Sequence, residues 1–196
     1  MTVLAAFGDP PPAAAVEAAA AALAAGGVVG LPTDTLYGLV GDPAAIYAAK
    51  RRPPEVHLPV LVADRAAAEA LAGAVPPLAA RLMDAFWPGG LTVVVPRSDG
   101  TTVGVRCPAH PVALAVCAAA GPLPSSSANR HGEAPLTTAA AVAAAFGDEL
   151  AVVLDAGPCS GTPSTVVDCT GARPMLLRAG RVPWAAVEAA AAGGLP

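Results

Sequence analysis

"VVGLPTDTLYGLVGDPAAIYAAKRRP", residues 28–53, carries the fold decision. Residues 28–32 form a short apolar run rich in valine, which predicts a buried strand. Asp42 then stands as an N-cap with Pro43 at the first helical position, and Pro53 should end the helix at Arg52. Strand, polar turn and helix in that order are a βα unit, so the class is α/β. Between strand and helix lie Thr33, Asp34, Thr35, Tyr37 and Gly38. Open α/β sheets place ligands at such strand ends. A plain turn, in which Thr and Asp satisfy backbone groups, stays open beside that reading. Lys50 and Arg52 at the helix C-terminus either complement the dipole or form a phosphate clamp.

Outward from this unit the punctuation is regular. Pro10–Pro12 and Gly26-Gly27 bracket an alanine-rich helix. A second strand is expected at 58–63, then a helix capped by Asp64 and another at 76–87, closed by Pro88-Gly89-Gly90. Strands at 91–96 and 101–108 flank the turn Ser98-Asp99-Gly100, a hairpin signal. Helices follow at 111–120, from Thr137 or Thr138 to about Phe146, and at 183–192. Strands are expected at 151–157, 164–170 and 174–180, close together in sequence. Early alternation and a late cluster of strands predict an open, twisted, mixed sheet flanked by helices. Neither repeat nor linker is visible, so residues 1–196 read as one domain.

Composition narrows the function classes. Hydrophobic residues make up 55% and charged ones 13%, enough for a large core and against disorder. Net charge is −4, which disfavours a globally basic nucleic-acid binder. The four cysteines and three histidines show neither CxxC nor HExxH spacing, so reduced thiols are expected. Residues 13–25 are too short to span a membrane, and no basic residue precedes Lys50, so a cytoplasmic protein is expected. Ten arginines accompany a single lysine, which raises the question of what needs a compact ammonium at position 50.

The other polar segments also suit anions. "SSSANRHGE", 125–133, concentrates hydrogen-bonding groups in an otherwise apolar chain. Arg106 and Arg178 stand near strand ends, as solvated edge residues or as anion receptors. The glycine-rich stretch 155–168 ends in Ser164-Thr165 and can form a backbone nest. No Walker A loop occurs, Ser127 and His131 lack an orienting acid, and Cys159 reads as an inert thiol before a nucleophile.

Taken in order, "PTDTLYGL" (32–39), "KRRP" with "LPVLVA" (50–63), "FWPGGLTVVV" (86–95), "GVRCPAHP" (104–111), "SSSANRHGE", "GPCSGTPSTVVD" (157–168) and "LLRAG" (176–180) resemble the YrdC/TsaC family of threonylcarbamoyl-AMP synthases. The resemblance covers roughly residues 15–182. It implies a YrdC-like fold with a large concave cleft. It implies condensation of L-threonine, bicarbonate or CO2, and ATP into threonylcarbamoyl-AMP, a nucleotidyl transfer that releases pyrophosphate. Other enzymes then pass the threonylcarbamoyl group to tRNA. Carried over by motif, Lys50 and Arg52 would hold ATP phosphates and serve catalysis, while Ser127, Asn129 and Arg178 would bind the nucleotide. Thr35, Arg106, Ser164 and Thr165 would hold threonine, with Arg106 on its carboxylate, and Tyr37 would pack on a substrate. Magnesium would be held by the triphosphate rather than by protein carboxylates.

Departures from the family pattern are His57 and Gly90, each for a proline, and His131 for a serine; none removes a proposed ligand group. Ending at Pro196, the chain resembles the family's short form, without an extra C-terminal domain. Two rivals are weighed. Carbamoyltransferases that contain YrdC-like domains are large and multidomain, and this chain lacks zinc-like cysteine pairs. A non-catalytic module binding tRNA or double-stranded RNA sits poorly with net charge −4 and one lysine.

Overall fold

The computed structural model describes residues 1–51, 57–130 and 132–193. Within them ten strands form one mixed sheet, in the order β1-β8-β2-β3-β7-β4-β6-β5-β9-β10. The strands are β1 (Thr2–Ala5), β2 (Val29–Leu31), β3 (Gly38–Val40), β4 (Val60–Leu61), β5 (Leu91–Pro96), β6 (Thr102–Arg106), β7 (Leu123–Ser127), β8 (Val152–Asp155), β9 (Thr165–Asp168) and β10 (Met175–Arg178). Helices are α1 (Ala13–Ala24), α2 (Pro43–Lys50), α3 (Arg65–Ala72), α4 (Pro77–Phe86), α5 (Pro111–Ala120), α6 (Ala139–Phe146) and α7 (Trp184–Ala191). The expected mixed α/β architecture is the one observed.

Local chemistry explains the helix starts. Asp42 Oδ1 accepts from Ala44 N (2.9 Å) and Ala45 N (3.1 Å), Asp64 caps α3 through Ala67 N, and Thr138 caps α6 through Ala141 N. α2 stops at Lys50, two residues before the expected Arg52, because Arg51 turns into the left-handed region at φ 51. Arg52 itself lies outside the described residues.

Three expectations are revised. β1, β3 and β7 were not anticipated; β3 and β7 lie inside stretches read as polar clusters, and the serines of "LPSSS" pair with Gly38–Val40. The strand expected at 58–63 shrinks to Val60–Leu61. The three late strands shorten to Val152–Asp155, Thr165–Asp168 and Met175–Arg178, and they divide within the sheet. β8 lies parallel between β1 and β2, whereas β9 pairs with β5 and β10.

The period-2 alternation of strands decides where the site lies. Leu91, Val93 and Val95 of β5, Val103 and Val105 of β6 and Val167 of β9 enter a core with Leu82, Met83 and Val187 of α4 and α7. Their neighbours Thr92, Val94, Thr102, Gly104 and Val166 point the other way and floor a cleft of about 640 Å³. Two further cores cover both faces of the other half-sheet, one with α1 and α5, one with α2 and α6.

Gly41 closes β3 onto α2 at φ +146, and a Cβ there would stand 2.7 Å from Gly27 O. Gly41→Ala is therefore expected to destabilise by roughly 2–3 kcal/mol. That corresponds to a melting temperature lower by about 5–10 °C, read by thermal denaturation; an unshifted transition would refute the close approach.

Candidate functional site

The cleft is built on Arg106, at the end of β6. Its side chain is 8% exposed. Nε donates to Gly89 O (3.0 Å), Nη1 to Thr35 Oγ1 (2.8 Å) and Nη2 to Asp34 Oδ1 (2.6 Å). Burial lowers the guanidinium pKa from its ordinary value; Asp34 opposes this, and Arg178 and Arg181 add to it. Arginine stays charged through such a shift. Asp34 Oδ1 also accepts from Ala109 N at 3.0 Å, tying the turn after β6 to the loop after β2.

That loop is set by Thr33. Its hydroxyl accepts from Thr35 N and Leu36 N and donates to Leu36 O (2.7 Å), so the turn closes on a side chain. Ser160 Oγ donates to the carbonyls of Asp34 and Thr35, docking the glycine-rich loop on it. Tyr37 is fully buried and donates to Gly157 O at 3.0 Å, with its pKa pushed up by burial.

In the same cleft Arg178 donates to Ser164 O through Nε (3.1 Å) and Nη2 (2.9 Å), and to Ser164 Oγ (2.9 Å). Ser164 Oγ meets Thr92 Oγ1 at 2.9 Å. Burial lowers the Arg178 pKa as well. Along the rim, Ser127 Oγ donates to Asn129 Oδ1 (2.5 Å), and Asn129 Nδ2 donates to Arg130 O and Glu133 O. Lys50, 1% exposed, sits beneath this rim. Its Nζ donates to Ser127 O (2.5 Å), Asn129 O (2.6 Å) and Asn129 Oδ1 (3.2 Å).

Of the residues the sequence singles out, Thr35, Tyr37, Arg106, Ser127, Ser164 and Arg178 line the one cleft. Lys50 and Asn129 stand just behind its serine rim. Thr165 is not brought to the cleft: it is fully buried, and its hydroxyl donates to Val182 O (2.7 Å) and accepts from Val182 N. Alternation along β9 requires this, since Ser164 and Thr165 face opposite ways. Arg52 and His131 fall outside the described residues. The part of Asp34 as counter-ion of Arg106 was not read from sequence; its position in the polar cluster after β2 was the available signal. Cys159 is half-buried with its thiol pKa raised by burial, which disfavours a thiolate nucleophile.

Among the described residues the cleft wall carries two arginines and no carboxylate. Hydroxyls from Thr35, Thr92, Ser125, Ser126, Ser127 and Ser164 stand beside them. Fold and wall together define an α/β protein with a cleft lined by two arginines and several hydroxyls on one face of its sheet. Comparison with known proteins makes this specific. Residues 21–180 match the Sua5/YciO/YrdC family model, described as telomere recombination, and the chain belongs to this family. A putative threonylcarbamoyl-AMP synthase of Mycobacterium tuberculosis is 39% identical over 173 residues, covering 80% of each chain. The threonylcarbamoyl-AMP synthase of Bacillus subtilis is 38% identical over 180 residues, covering 83% of this chain and 52% of that one. The crystal structure of Pyrococcus abyssi Sua5 complexed with L-threonine superposes with a TM-score of 0.91 at 32% identity. That match covers 97% of this chain and 61% of the other, so this chain spans only part of that protein and about half of the Bacillus relative.

Lys50→Met removes the ammonium that ties together Ser127 O, Asn129 O and Asn129 Oδ1 and leaves Asn129 O without its charged donor. It is expected to lower stability by roughly 3 kcal/mol or more, read as a shifted urea midpoint at unchanged slope. A midpoint equal to that of the unsubstituted chain would show that the ammonium does not hold the rim.

Proposed function

We propose that this chain is a threonylcarbamoyl-AMP synthase, a nucleotidyltransferase acting in the cytoplasm. It condenses L-threonine, bicarbonate and magnesium-bound ATP into threonylcarbamoyl-AMP and pyrophosphate. The product feeds enzymes that transfer the threonylcarbamoyl group to tRNA. The observation that carries this reading is the pairing of Arg106 and Arg178 on a cleft wall without a described carboxylate, in a chain of this family.

The chemistry asks little of a protein base. Bicarbonate and the threonine amine give a carbamate with loss of water. A carbamate oxygen then attacks the ATP α-phosphorus, and the bond to the bridging oxygen breaks as pyrophosphate leaves. Neutralising phosphate charge and aligning the reactants are the main tasks. Arg106 has five N–H groups, of which three serve Gly89, Thr35 and Asp34, so one on each terminal nitrogen remains for the amino-acid carboxylate. Thr35 and Ser164 offer hydroxyls to the same substrate. Arg178, Ser127 and Asn129 serve the nucleotide, with Arg52 on its phosphates by motif. Lys50 reaches a phosphate by releasing its longest bond, the 3.2 Å contact with Asn129 Oδ1. The wall hydroxyls and arginines suit phosphate oxygens better than a bare dication, so magnesium enters as part of ATP, ligated by the triphosphate.

The test mixes the chain with ATP, magnesium, bicarbonate and one amino acid at a time. Pyrophosphate release that requires both threonine and bicarbonate is expected; release that ignores either one refutes the reaction. Arg106→Ala is expected to raise the threonine KM roughly 10- to 100-fold, since a charge-assisted hydrogen bond contributes about 1.5–3 kcal/mol. An unchanged threonine KM would remove Arg106 from the amino-acid site.

A further inference from the structure

Two buried side-chain atoms, Asp34 Oδ2 and His110 Nδ1, have no hydrogen-bond partner among the described residues. They belong to one neighbourhood. Asp34 Oδ1 holds Ala109 N, the peptide immediately before His110, and the Asp34 charge is felt at the His110 ring. His110 opens α5 at its N-cap position without a side-chain cap bond, so its ring is not spent on the helix. The Asp34 side chain is 9% exposed, and its other oxygen already serves Arg106.

A carboxylate oxygen can only accept, and an imidazole Nδ1 accepts or donates according to tautomer. Left unpartnered in a buried place, each atom would forfeit a hydrogen bond. A single ordered water between them resolves both. We propose that His110, in its Nδ1–H tautomer, donates to a buried water that in turn donates to Asp34 Oδ2. His110 is thereby a positioning residue for Arg106, acting through Asp34. The inference rests on the proposed function for its readout, since Arg106 is taken there to hold the threonine carboxylate.

The physical content is restraint. Asp34 must present Oδ1 to both Arg106 Nη2 and Ala109 N, and rotation about the carboxylate's own axis would exchange its two oxygens. Occupying Oδ2 from the far side removes that freedom. Arg106 then keeps its two remaining N–H groups aimed into the cleft. Loss of His110 should loosen the amino-acid end of the site and leave the nucleotide end, built on Arg178 and the 125–129 rim, as it was.

The experiment compares the unsubstituted chain with His110→Ala and His110→Asn, the latter because its amide N–H lies near the position of Nδ1–H. Threonine and ATP binding are measured separately by calorimetry, and KM for each by pyrophosphate release. His110→Ala is expected to raise the threonine Kd and KM about tenfold, the effect of losing one hydrogen bond. ATP affinity should be unchanged, and His110→Asn should recover most of the loss. An unchanged threonine affinity in His110→Ala, an equal loss for both ligands, or no recovery in His110→Asn would each overturn the inference. An unsubstituted chain that does not bind threonine overturns the proposed function as well. One that binds threonine and is indifferent to position 110 overturns only the positioning role.

Discussion

The guanidinium of Arg106 holds the architecture of the cleft together. It reaches from β6 to the turn at Gly89, to the Thr35 hydroxyl and to the Asp34 carboxylate. Those partners come from two separate stretches, one after α4 and one after β2. The latter sits on the half-sheet beyond β7 and β4. A charge buried this deeply is tolerable only with its counter-ion and hydrogen bonds in place, and removal of one partner strands the other. The ion pair is therefore poor evidence of net stability but strong evidence of geometry. It fixes how the two halves of the sheet meet, and it does so with two N–H groups still unspent at the cleft.

The cleft exists because one half of the sheet is covered on a single face. Alternation sends Leu91 and alternate valines of β5, β6 and β9 toward α3, α4 and α7, and sends Thr92, Thr102 and Gly104, with Val94 and Val166, to the other side. Gly104 and Thr102 are small, so the floor stays low and a nucleotide-sized volume remains above it. Val94 and Val166 on that face are partly exposed, and the polar side chains beside them lose little when no helix covers them. The sequence pattern thus sets both the core and the opening opposite it.

Features with local causes were legible. The α2, α3 and α6 starts follow from Asp42, Asp64 and Thr138, whose side chains act within three residues. The β5–β6 hairpin follows from alternating valines around Ser98-Asp99-Gly100. The site was legible as a set of candidate residues, six of which meet in one cleft. What was not legible depends on distance. β7 is made of Leu123, Pro124 and three serines, a composition that does not favour strands. It is a strand because β3 and β4 lie on either side and take its backbone hydrogen bonds. Asp34 and Arg106 stand 72 residues apart, and nothing in either segment announces the pairing. Thr165 was grouped with Ser164 because they are adjacent, yet adjacency in a strand is what separates them.

The single lysine follows from the same geometry. Among the described residues three acceptors converge on position 50: Ser127 O, Asn129 O and Asn129 Oδ1. They surround a point rather than lie along an edge. An ammonium places three donors tetrahedrally about one atom and fits such a cage, whereas a planar guanidinium spreads its donors over a fork and does not. Elsewhere the chain meets edges. Arg178 straddles the carbonyl and hydroxyl of Ser164, and Arg130 reaches the Glu149 carboxylate through both terminal nitrogens. A chain that otherwise uses arginine keeps a lysine where the acceptors form a cage. That cage is the backbone of the serine-asparagine rim, so the ammonium shapes the rim before any phosphate arrives. The bonds that order the rim also fix this one lysine charge beneath Ser127 and Asn129.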